Sequence, residues 1–439
     1  MFEEIYNWST LSTDEQADIL RRPALANDSQ TREQAARIIA TVRRDGDAAL
    51  FEFTKQFEGL NLQELRVTEQ EFNDAETCIS PQAKAAIDTA ISNVRRFHDL
   101  QMPAEIDLAV CHGVRCERRN QPIDAVGLYV PAGSAPLPSA AIMLAVPAAI
   151  AACPVRILCT PADENGNVNA ATLFAARRSG VADVFKIGGA QAIAAMAYGT
   201  ETVPKVDKVF GPGNAWVTAA KTLVAGDPAG AAIDMPAGPS EVLVIADVAA
   251  DPAFVAADLL SQAEHGEDSQ VMLVTTSRTL ADEAIRASET QLRNLARQDI
   301  ARVALQQSRV ILADDIATAI DISNRYAPEH LILQIEDPRT ILDQIRNAGS
   351  VFLGRWSPES VGDYCSGTNH VLPTYGTAKS YSGLGVEQFM RQMTVQELTE
   401  DGLRLLAPTV IELATLEGLD AHAQAVRIRL NEAVREEVA

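Results

Sequence analysis

The chain has 439 residues, of which 47% are hydrophobic and 22% are charged. This composition is typical of a globular protein of several domains, and it excludes a fibrous or disordered chain. The formal net charge of -22 argues against a nucleic-acid backbone or an anionic membrane as the main partner.

Cysteine usage and the apolar segments indicate where the protein resides. The six cysteines form no C-x-x-C pair, which indicates a reducing compartment rather than a disulfide scaffold. The N-terminus is acidic and lacks the basic region of a secretory signal. The most apolar stretch, Ala140–Cys159, contains two prolines and Arg156, so we predict a buried helix and strand there rather than a membrane span. We therefore expect a cytoplasmic protein.

The predicted elements begin with helices and then alternate. Apolar residues at helical spacing predict helices in Thr31–Phe57 and Pro81–Gln101. Short apolar strands then alternate with helices, as in a parallel sheet. The predicted strands are Ala125–Val130, Val155–Thr160, Val184–Ile187, Lys208–Phe210, Glu241–Ala246, Gln270–Thr275, Val310–Leu312, Leu331–Leu333 and Ser350–Leu353. We predict a helix at Asp337–Ala348, a long polar loop at Arg355–Thr374, and only helices from about Val386 onward.

This organisation predicts an α/β fold with two Rossmann-like parallel-sheet domains, one inserted in the other, and with helical N- and C-terminal segments. We expect an N-terminal helical extension over 1–22 and a main domain formed by 23–128 together with 240–384. The inserted domain would span 129–239, and a helical tail would span 385–439.

Two glycine turns each follow a predicted strand and open a helix. They are Gly188-Gly-Ala-Gln191 and Gly211-Pro-Gly-Asn214. Backbone amides at a helix N-terminus attract anions such as a pyrophosphate. Neither turn completes G-x-G-x-x-G, and no acid ends the next strand where a ribose-binding residue is expected. The glycines therefore serve either tight turns alone or a dinucleotide bound in an unconventional way.

A metal site is one interpretation of Gln262, His265 and Asp363. Gln262 and His265 are three residues apart near a helix end, so they share a face. With Asp363 they offer an amide oxygen, an imidazole nitrogen and a carboxylate, which suits a divalent ion such as zinc. An amide is a poor ligand, so the residues alone leave this site open.

Proton transfer is one interpretation of Glu329 and His330, which follow Pro328 at a helix-to-strand junction. Both groups can move protons near pH 7, although an exposed loop pair fits the sequence equally well. Cys365 lies in the same loop as His370, so its thiolate would be able to attack an aldehyde. Cysteine is also a common small buried residue, and that alternative stays open.

Five longer motifs together carry a resemblance to a known family. They are Val126–Pro131, Val203–Asn214, Ile233–Val242, Leu259–His265 and Ser366–Thr374. Together, in this order and over nearly the whole chain, they resemble histidinol dehydrogenase. The resemblance implies oxidation of L-histidinol through L-histidinal to L-histidine, the last two steps of histidine biosynthesis, with two NAD reduced and one water consumed. It also implies a domain-swapped homodimer, NAD contacts in the inserted domain, and one zinc ion per active site.

The resemblance assigns roles residue by residue. It implies zinc ligands at Gln262, His265, Asp363 and His422, and catalytic roles for Glu329, His330 and His370. The implied substrate contacts are Ser240, Gln262, His265, His330, Asp363, Glu417 and His422, with Glu417 and His422 supplied by the partner subunit. The implied NAD contacts are Tyr129, Gln191 and Asn214. His330 would be the general base of both oxidations and Glu329 the base that activates water, whereas Cys365 receives no role.

Two alternatives from other functional classes make different predictions. A zinc hydrolase would use the same ligands with a metal-bound water and would turn over without a dinucleotide. A non-enzymatic metal- or imidazole-binding protein would bind without turnover. Formation of NADH separates both from a dehydrogenase.

Overall fold

The computed structural model describes residues 2, 4–22, 28–132, 135–235 and 238–430. Parts of five predictions lie outside the described residues: the N-terminal extension, the start of the main domain, the inserted domain, the middle of the motif Ile233–Val242 and the end of the C-terminal tail. The chain divides into two compact units. The first comprises Met1–Gln101 and Ile123–Phe389, and the second comprises Met102–Pro122 and Met390–Ala439.

The strands and helices are numbered here in chain order. The strands are β1 (Ile5–Asn7), β2 (Ile106–Cys111), β3 (Val114–Pro122), β4 (Ala125–Tyr129), β5 (Val155–Thr160), β6 (Asp183–Lys186), β7 (Lys208–Phe210), β8 (Ala232–Ile233), β9 (Glu241–Ala246), β10 (Gln270–Thr275), β11 (Arg309–Leu312), β12 (His330–Gln334), β13 (Ser350–Leu353) and β14 (Met390–Leu398). The helices are α1 (Thr13–Ile19), α2 (Asp28–Asp45), α3 (Asp47–Glu58), α4 (Glu69–Cys78), α5 (Pro81–His98), α6 (Pro138–Ile150), α7 (Ala170–Arg178), α8 (Gly189–Tyr198), α9 (Ala215–Ala225), α10 (Pro252–Ala263), α11 (Arg278–Leu292), α12 (Gln298–Gln306), α13 (Ile316–Tyr326), α14 (Glu359–Tyr364), α15 (Glu400–Leu416) and α16 (Asp420–Arg429).

The first unit contains a five-stranded parallel sheet in the order β6-β5-β4-β7-β8. The chain starts at the central strand β4, extends the sheet in one direction through β5 and β6, and then returns to the other side of β4 with β7. This order is that of doubly wound nucleotide-binding folds, in which ligands bind at the carboxyl ends of the two strands where the direction reverses. Those two strands are β4 and β7.

The same unit contains a six-stranded parallel sheet in the order β1-β11-β10-β9-β12-β13. Strands β9 to β13 repeat the order of the smaller sheet, and the N-terminal strand β1 extends one edge. Every residue of β9 and β10 is buried. Continuous burial of this kind is expected for parallel strands covered by helices on both faces. The prediction of an α/β fold with parallel sheets is therefore confirmed.

The second unit contains the antiparallel sheet β14-β3-β2 and the helices α15 and α16. The two helices pack through Ala407, Val426 and Leu430. Most residues of β14 are exposed. Backbone pairing with β3 along its whole length, rather than apolar burial, therefore holds β14 in place.

Four local predictions are wrong. The region after Val386 was predicted to contain no strand, but β14 lies there, and its polar exposed side chains carry no apolar alternation. Strand β1 lies in the segment predicted as helical, and its three residues are too few to show a period. The predicted helix Asp337–Ala348 is a 3-10 helix over Pro338–Gln344, and the predicted loop Arg355–Thr374 contains helix α14.

The apolar stretch Ala140–Cys159 has the predicted form of a buried helix followed by a buried strand. Helix α6 is buried over most of its length and contains Pro147. Strand β5 follows and lies inside the five-stranded sheet. Among the described residues, no helix is both long enough and apolar enough to cross a membrane.

Candidate active site

Glu329 and His330 lie at the amino end of β12, the strand between β9 and β13. His330 is the first residue of β12, and both side chains are buried. The interpretation of this pair as an exposed loop is therefore wrong.

The backbone of Glu241, the first residue of β9, holds both side chains. Nδ1 of His330 lies 3.0 Å from the carbonyl oxygen of Glu241, and because a carbonyl only accepts, Nδ1 carries the proton. The N–H of Glu241 donates to Oε2 of Glu329 at 2.8 Å. One residue of the neighbouring strand thus fixes the acid and the imidazole.

The other nitrogen of His330 is left free to take a proton. Nε2 has no hydrogen-bond partner within the described ranges, although His330 is only 3% exposed. It lies 3.5 Å from Oδ1 of Asp363. A buried ring nitrogen without a hydrogen-bond partner is costly for stability and marks a group kept for a ligand.

The carboxylate of Glu241 has a separate partner. Arg22 donates to its two oxygens at 2.5 Å and 2.9 Å, and the N–H of Tyr375 donates to it at 3.0 Å. This bidentate pair fixes the start of β9 without using the groups that face His330.

Helix α14 brings two acids beside His330. Glu359 and Asp363 are four residues apart, so they lie on one face of the helix. Ligand atoms of His330, Glu359 and Asp363 all lie within 4.8 Å of one another. Asp258 lies close enough to interact with Glu359 through charge.

Acidic side chains outnumber basic ones at this centre, and the pKa values of several of these groups are shifted as a result. Burial raises the pKa of Glu329 to about 8, against the opposing charge of His330. Burial also raises the pKa of Asp258 to about 6. Burial lowers the pKa of His330, but the carboxylates of Glu329, Glu359 and Asp363 outweigh it and hold this pKa well above its usual value. Acids buried in this way lose their charge unless a cation is bound among them, and such a cation would also lower the pKa of His330 and free its Nε2 to accept a proton.

Gln262 and His265 lie at the end of α10 and face the same centre. Hydrogen bonding assigns the orientation of the Gln262 amide: with its nitrogen toward the carboxylate of Glu359 it donates to Oε2 at 3.1 Å, and its oxygen accepts from the N–H of Glu241 at 3.3 Å, whereas the opposite orientation would set oxygen against oxygen. Nδ1 of His265 lies 3.0 Å from the carbonyl of Ser261, which leaves its Nε2 as the nitrogen available to a metal.

His370 and Asp363 are neighbours. Nδ1 of His370 donates to the backbone carbonyl of Asp363 at 2.7 Å, and burial lowers the pKa of His370. Burial raises the pKa of Asp363, but His330 outweighs it and holds this pKa below its usual value, with smaller contributions from His370 and His265. Imidazole, amide and carboxylate donors around surplus negative charge fit a divalent cation such as zinc.

The remaining predicted site residues lie in three other places. Ser240 precedes β9, and its carbonyl accepts from the N–H of Gln270 at 3.2 Å. Cys365 is a free thiol whose carbonyl accepts from Asn93 at 2.9 Å. Glu417 and His422 belong to the second unit, where both are exposed, Glu417 at the end of α15 and His422 on α16.

The first glycine turn lies at the carboxyl edge of the five-stranded sheet. The N–H of Gly189 donates to the hydroxyl of Tyr129 at 3.0 Å, and the N–H of Gly188 donates to the carboxylate of Glu58. Gly189 has a φ of +64°, which favours glycine. Gln191 is buried within the first turn of α8.

The second glycine turn lies beside β4. Gly211 has a φ of +121°, and a Cβ there would lie 2.1 Å from the carbonyl oxygen of Tyr129. Its N–H donates to Asp234 at 2.8 Å, and its carbonyl accepts from Lys221 at 2.8 Å. Lys221 and Asp234 also form a buried ion pair. Asn214 caps α9 by accepting from the N–H of Val217 at 3.2 Å.

Sequence reasoning missed four residues of the acid–histidine centre: Arg22, Glu241, Asp258 and Glu359. Only Glu359 carried a usable signal, because it stands one helical turn before Asp363. Arg22 is far away in sequence from Glu241, and burial of Asp258 follows from packing that a single sequence does not reveal.

Two parallel α/β sheets and a buried acid–histidine pair beside clustered carboxylates are the features of an α/β enzyme with a polar active site. The family model for histidinol dehydrogenase matches residues 20–430. The chain is 53% identical to histidinol dehydrogenase of Vibrio vulnificus over 426 residues, which cover 96% of this chain and 97% of the relative. It is 54% identical to the enzyme of Vibrio cholerae over the same length.

A solved structure agrees with the sequence comparison. The crystal structure of histidinol dehydrogenase from Elizabethkingia anophelis matches with a TM-score of 0.93 at 45% identity and covers 98% of both chains. The chain therefore belongs to the histidinol dehydrogenase family and is an oxidoreductase.

Proposed function

We propose that the protein oxidises L-histidinol through L-histidinal to L-histidine, with two NAD reduced and one water consumed, as the last two steps of histidine biosynthesis. The names of its relatives support the substrate. The observation that carries the proposal is the buried Nε2 of His330, which has no hydrogen-bond partner among the described residues and lies next to carboxylates that suit a cationic substrate.

The metal of this proposal is zinc, held by Gln262, His265 and Asp363 and by His422 of the other subunit. When bound, zinc supplies a fixed point to which the imidazole and amine of the substrate attach. Orientation of this kind contributes roughly 7–11 kcal/mol to lowering a barrier when the geometry is right. The unmatched buried acids of the centre support a divalent ion here.

The dinucleotide of this proposal is NAD, contacted by Tyr129, Gln191 and Asn214. When bound, NAD accepts the hydride in each oxidation. The positions of these residues support the assignment, because Tyr129 ends β4 and Asn214 follows β7, the two strands at which the sheet order reverses.

His330 is the general base of both oxidations. The bond from its Nδ1 to the carbonyl of Glu241 fixes the ring and leaves Nε2 as the atom that takes the proton from the substrate hydroxyl. General base catalysis of this kind typically contributes 10²–10⁴-fold to the rate.

Glu329 activates the water that hydrates the aldehyde. One of its oxygens is held by the N–H of Glu241, so the other is available to a water. This assignment separates the two residues: His330 serves both oxidations, whereas Glu329 serves mainly the second.

The active site is completed by a second copy of the chain in a domain-swapped homodimer, which brings Glu417 and His422. Exposed leucines on and beside the helices of the second unit support a dimer: Leu405, Leu413, Leu416 and Leu419.

Mixing His422→Asn with His265→Asn subunits should restore one intact site in each mixed dimer. Failure to restore activity would argue that His422 serves its own chain.

The test is the amount of NADH formed per L-histidinol consumed, with and without a zinc chelator. We expect two NADH per substrate, lost on chelation and restored by zinc. One NADH would indicate a simple alcohol dehydrogenase and would remove the water-activating role from Glu329. No NADH under any condition would favour a hydrolase or a binding protein.

A further inference from the structure

Glu359 is a fully buried carboxylate to which the proposed mechanism gives no role. It is 1% exposed and stands at the start of α14, one turn before Asp363. Among the described residues it forms no ion pair with a lysine or an arginine. A buried carboxylate without a strong cationic partner is costly, so a specific use is expected.

The hydrogen bonds of Glu359 all lead to Gln262. In the amide orientation that satisfies its hydrogen bonds, the nitrogen of Gln262 faces both carboxylate oxygens of Glu359, donates to Oε2 at 3.1 Å and also contacts Oε1. The amide oxygen points the other way and accepts from the N–H of Glu241 at 3.3 Å. That N–H has a stronger partner in Glu329 at 2.8 Å, so the amide oxygen keeps a lone pair for another bond.

Orientation matters for an amide that binds a metal. Its oxygen offers a lone pair, whereas its nitrogen offers only hydrogens and would repel a cation. A glutamine turned by 180° about its last bond therefore occupies the same space but cannot serve as a ligand. Something must hold the amide in the productive orientation, and outer-shell carboxylates are known to do so for metal ligands.

We propose that Glu359 is a positioning residue that fixes the amide of Gln262 with its oxygen available to the metal, and that Glu359 is not itself a ligand. The inference rests on the proposed role of Gln262 as a zinc ligand. Two observations favour positioning over ligation. Both oxygens of Glu359 already face the amide nitrogen, and Glu359 is 1% exposed whereas the side chain of Asp363 is 15% exposed.

The experiment measures zinc affinity by competition with a chromophoric chelator in metal-free protein. Glu359→Gln should weaken zinc binding by about 10–100-fold, the usual effect of losing an outer-shell partner. Glu359→Asp should weaken it similarly, because the shorter side chain keeps the charge but does not reach the amide. The two variants together guard against a loss caused by misfolding of one of them.

A double-variant comparison identifies the route of the effect. If Glu359 acts only through the amide, then Glu359→Gln should change zinc affinity less than twofold in protein that already carries Gln262→Ala. An additional loss of tenfold or more in that background would show a direct role for Glu359 and overturn the proposal.

Cobalt(II) gives a readout that structural damage does not mimic. At saturating cobalt, Glu359→Gln should keep the visible absorption bands of the unaltered protein, because the ligands are unchanged. His265→Asn should shift them. A shift in Glu359→Gln like that of His265→Asn would make Glu359 a ligand and contradict the proposal.

Asp258→Asn is the matched control. Asp258 is another buried acid of the same cluster, but its hydrogen bond at 3.0 Å is to Gln334 rather than to Gln262. It should leave zinc affinity within about threefold. An equal loss of zinc affinity in Asp258→Asn and Glu359→Gln would show that the loss of one negative charge, and not the hydrogen bond to Gln262, causes the effect. That result would overturn the proposal. Failure of the unaltered protein to bind zinc would instead refute the proposed metal.

Discussion

The two parallel sheets of the first unit share one strand order but present their functional residues at opposite edges. In the five-stranded sheet, the order reverses between β4 and β7, and the predicted dinucleotide residues lie at the carboxyl ends of these strands. In the six-stranded sheet, the order reverses between β9 and β12, and Glu241 and His330 lie at their amino ends. The usual rule for open α/β sheets places ligands at carboxyl ends, so strand order alone locates only one of the two sites.

The two edges also differ in how their polar groups are used. At the five-stranded sheet, Glu58, Tyr129 and Asp234 already occupy the N–H groups of Gly188, Gly189 and Gly211. At the six-stranded sheet, Nε2 of His330 has no hydrogen-bond partner among the described residues, and none of their lysines or arginines pairs with Glu329, Glu359 or Asp363. The partnered amides hold the glycine turns, although Oε2 of Glu58 and Oγ1 of Thr160 are also without a partner there among the described residues, whereas the unpartnered ring nitrogen is available for chemistry.

The comparison bears on how a dinucleotide is held. Amides that already bind protein groups are not available to a pyrophosphate, and the carboxylate of Glu58 beside the first turn would repel one. The interpretation of the glycines as tight turns is therefore favoured over a phosphate cradle. Contacts to NAD would come from side chains instead.

The largest expected effect is on the reaction rate and concerns the amino edge of the six-stranded sheet, where His330 lies. His330→Asn should lower both hydride-transfer rates by about 10²–10⁴-fold, because it removes the proton acceptor. It should also lower the free energy of unfolding, because the carboxylates of Glu329, Glu359 and Asp363 lose the imidazole charge beside them. Single-turnover NADH formation from L-histidinol and from L-histidinal, beside a urea unfolding curve, checks both parts.

Glu329→Gln is the control for that variant and should slow mainly the oxidation of the aldehyde. Equal losses in both oxidations for Glu329→Gln would contradict the division of labour between the two residues.

The next largest effect is on stability and concerns the glycine turns at the carboxyl edge of the five-stranded sheet. Lys221→Met leaves the buried carboxylate of Asp234 without its cation and should lower the free energy of unfolding by about 3–5 kcal/mol. Lys221→Met/Asp234→Asn should lower it less, because no charge is stranded. Urea unfolding of the single and double variants measures the difference. A single variant as stable as the unaltered protein would show that the pair does not hold the second glycine turn.

A smaller effect is expected for Tyr129→Phe. This change removes the acceptor of the N–H of Gly189 and should cost about 1–3 kcal/mol, the penalty for an unsatisfied buried donor. It should weaken NAD binding by calorimetry and leave zinc binding unchanged. Equal weakening of zinc binding would indicate that the two edges are not independent.

The smallest effect concerns Glu58 and pH. Burial raises the pKa of Glu58 to about 7 from 4.5. The folded chain therefore holds this proton more tightly than the unfolded chain, so the stabilisation is complete below pH 4.5 and is lost as pH rises through 7. Relative to the unaltered protein, Glu58→Gln should gain stability from pH 5 to pH 8; linkage gives about 2.5 kcal/mol over this range, which solvent screening of the half-buried group reduces to about 1 kcal/mol. A difference in melting temperature that stays constant over this range would contradict the shifted pKa.

The sequence predicts the sheets well because buried parallel strands leave continuous apolar runs, as in β9 and β10. It predicts the glycine turns because a positive φ at Gly189 and a close approach at Gly211 demand that residue type. It does not predict β14, whose stability comes from backbone pairing and not from side-chain pattern. Nor does it reveal the roles of Glu241 and Arg22, since these depend on contacts between residues far apart in the chain.

The most direct test of the different use of the two edges is a crystal structure of the protein with zinc, L-histidinol and NAD, with zinc located by anomalous scattering. We expect zinc beside Asp363 and His265, the substrate hydroxyl within hydrogen-bond distance of Nε2 of His330, and the dinucleotide against Tyr129 and Asn214. Zinc bound to Nε2 of His330, or a dinucleotide at the carboxyl edge of the six-stranded sheet, would contradict it.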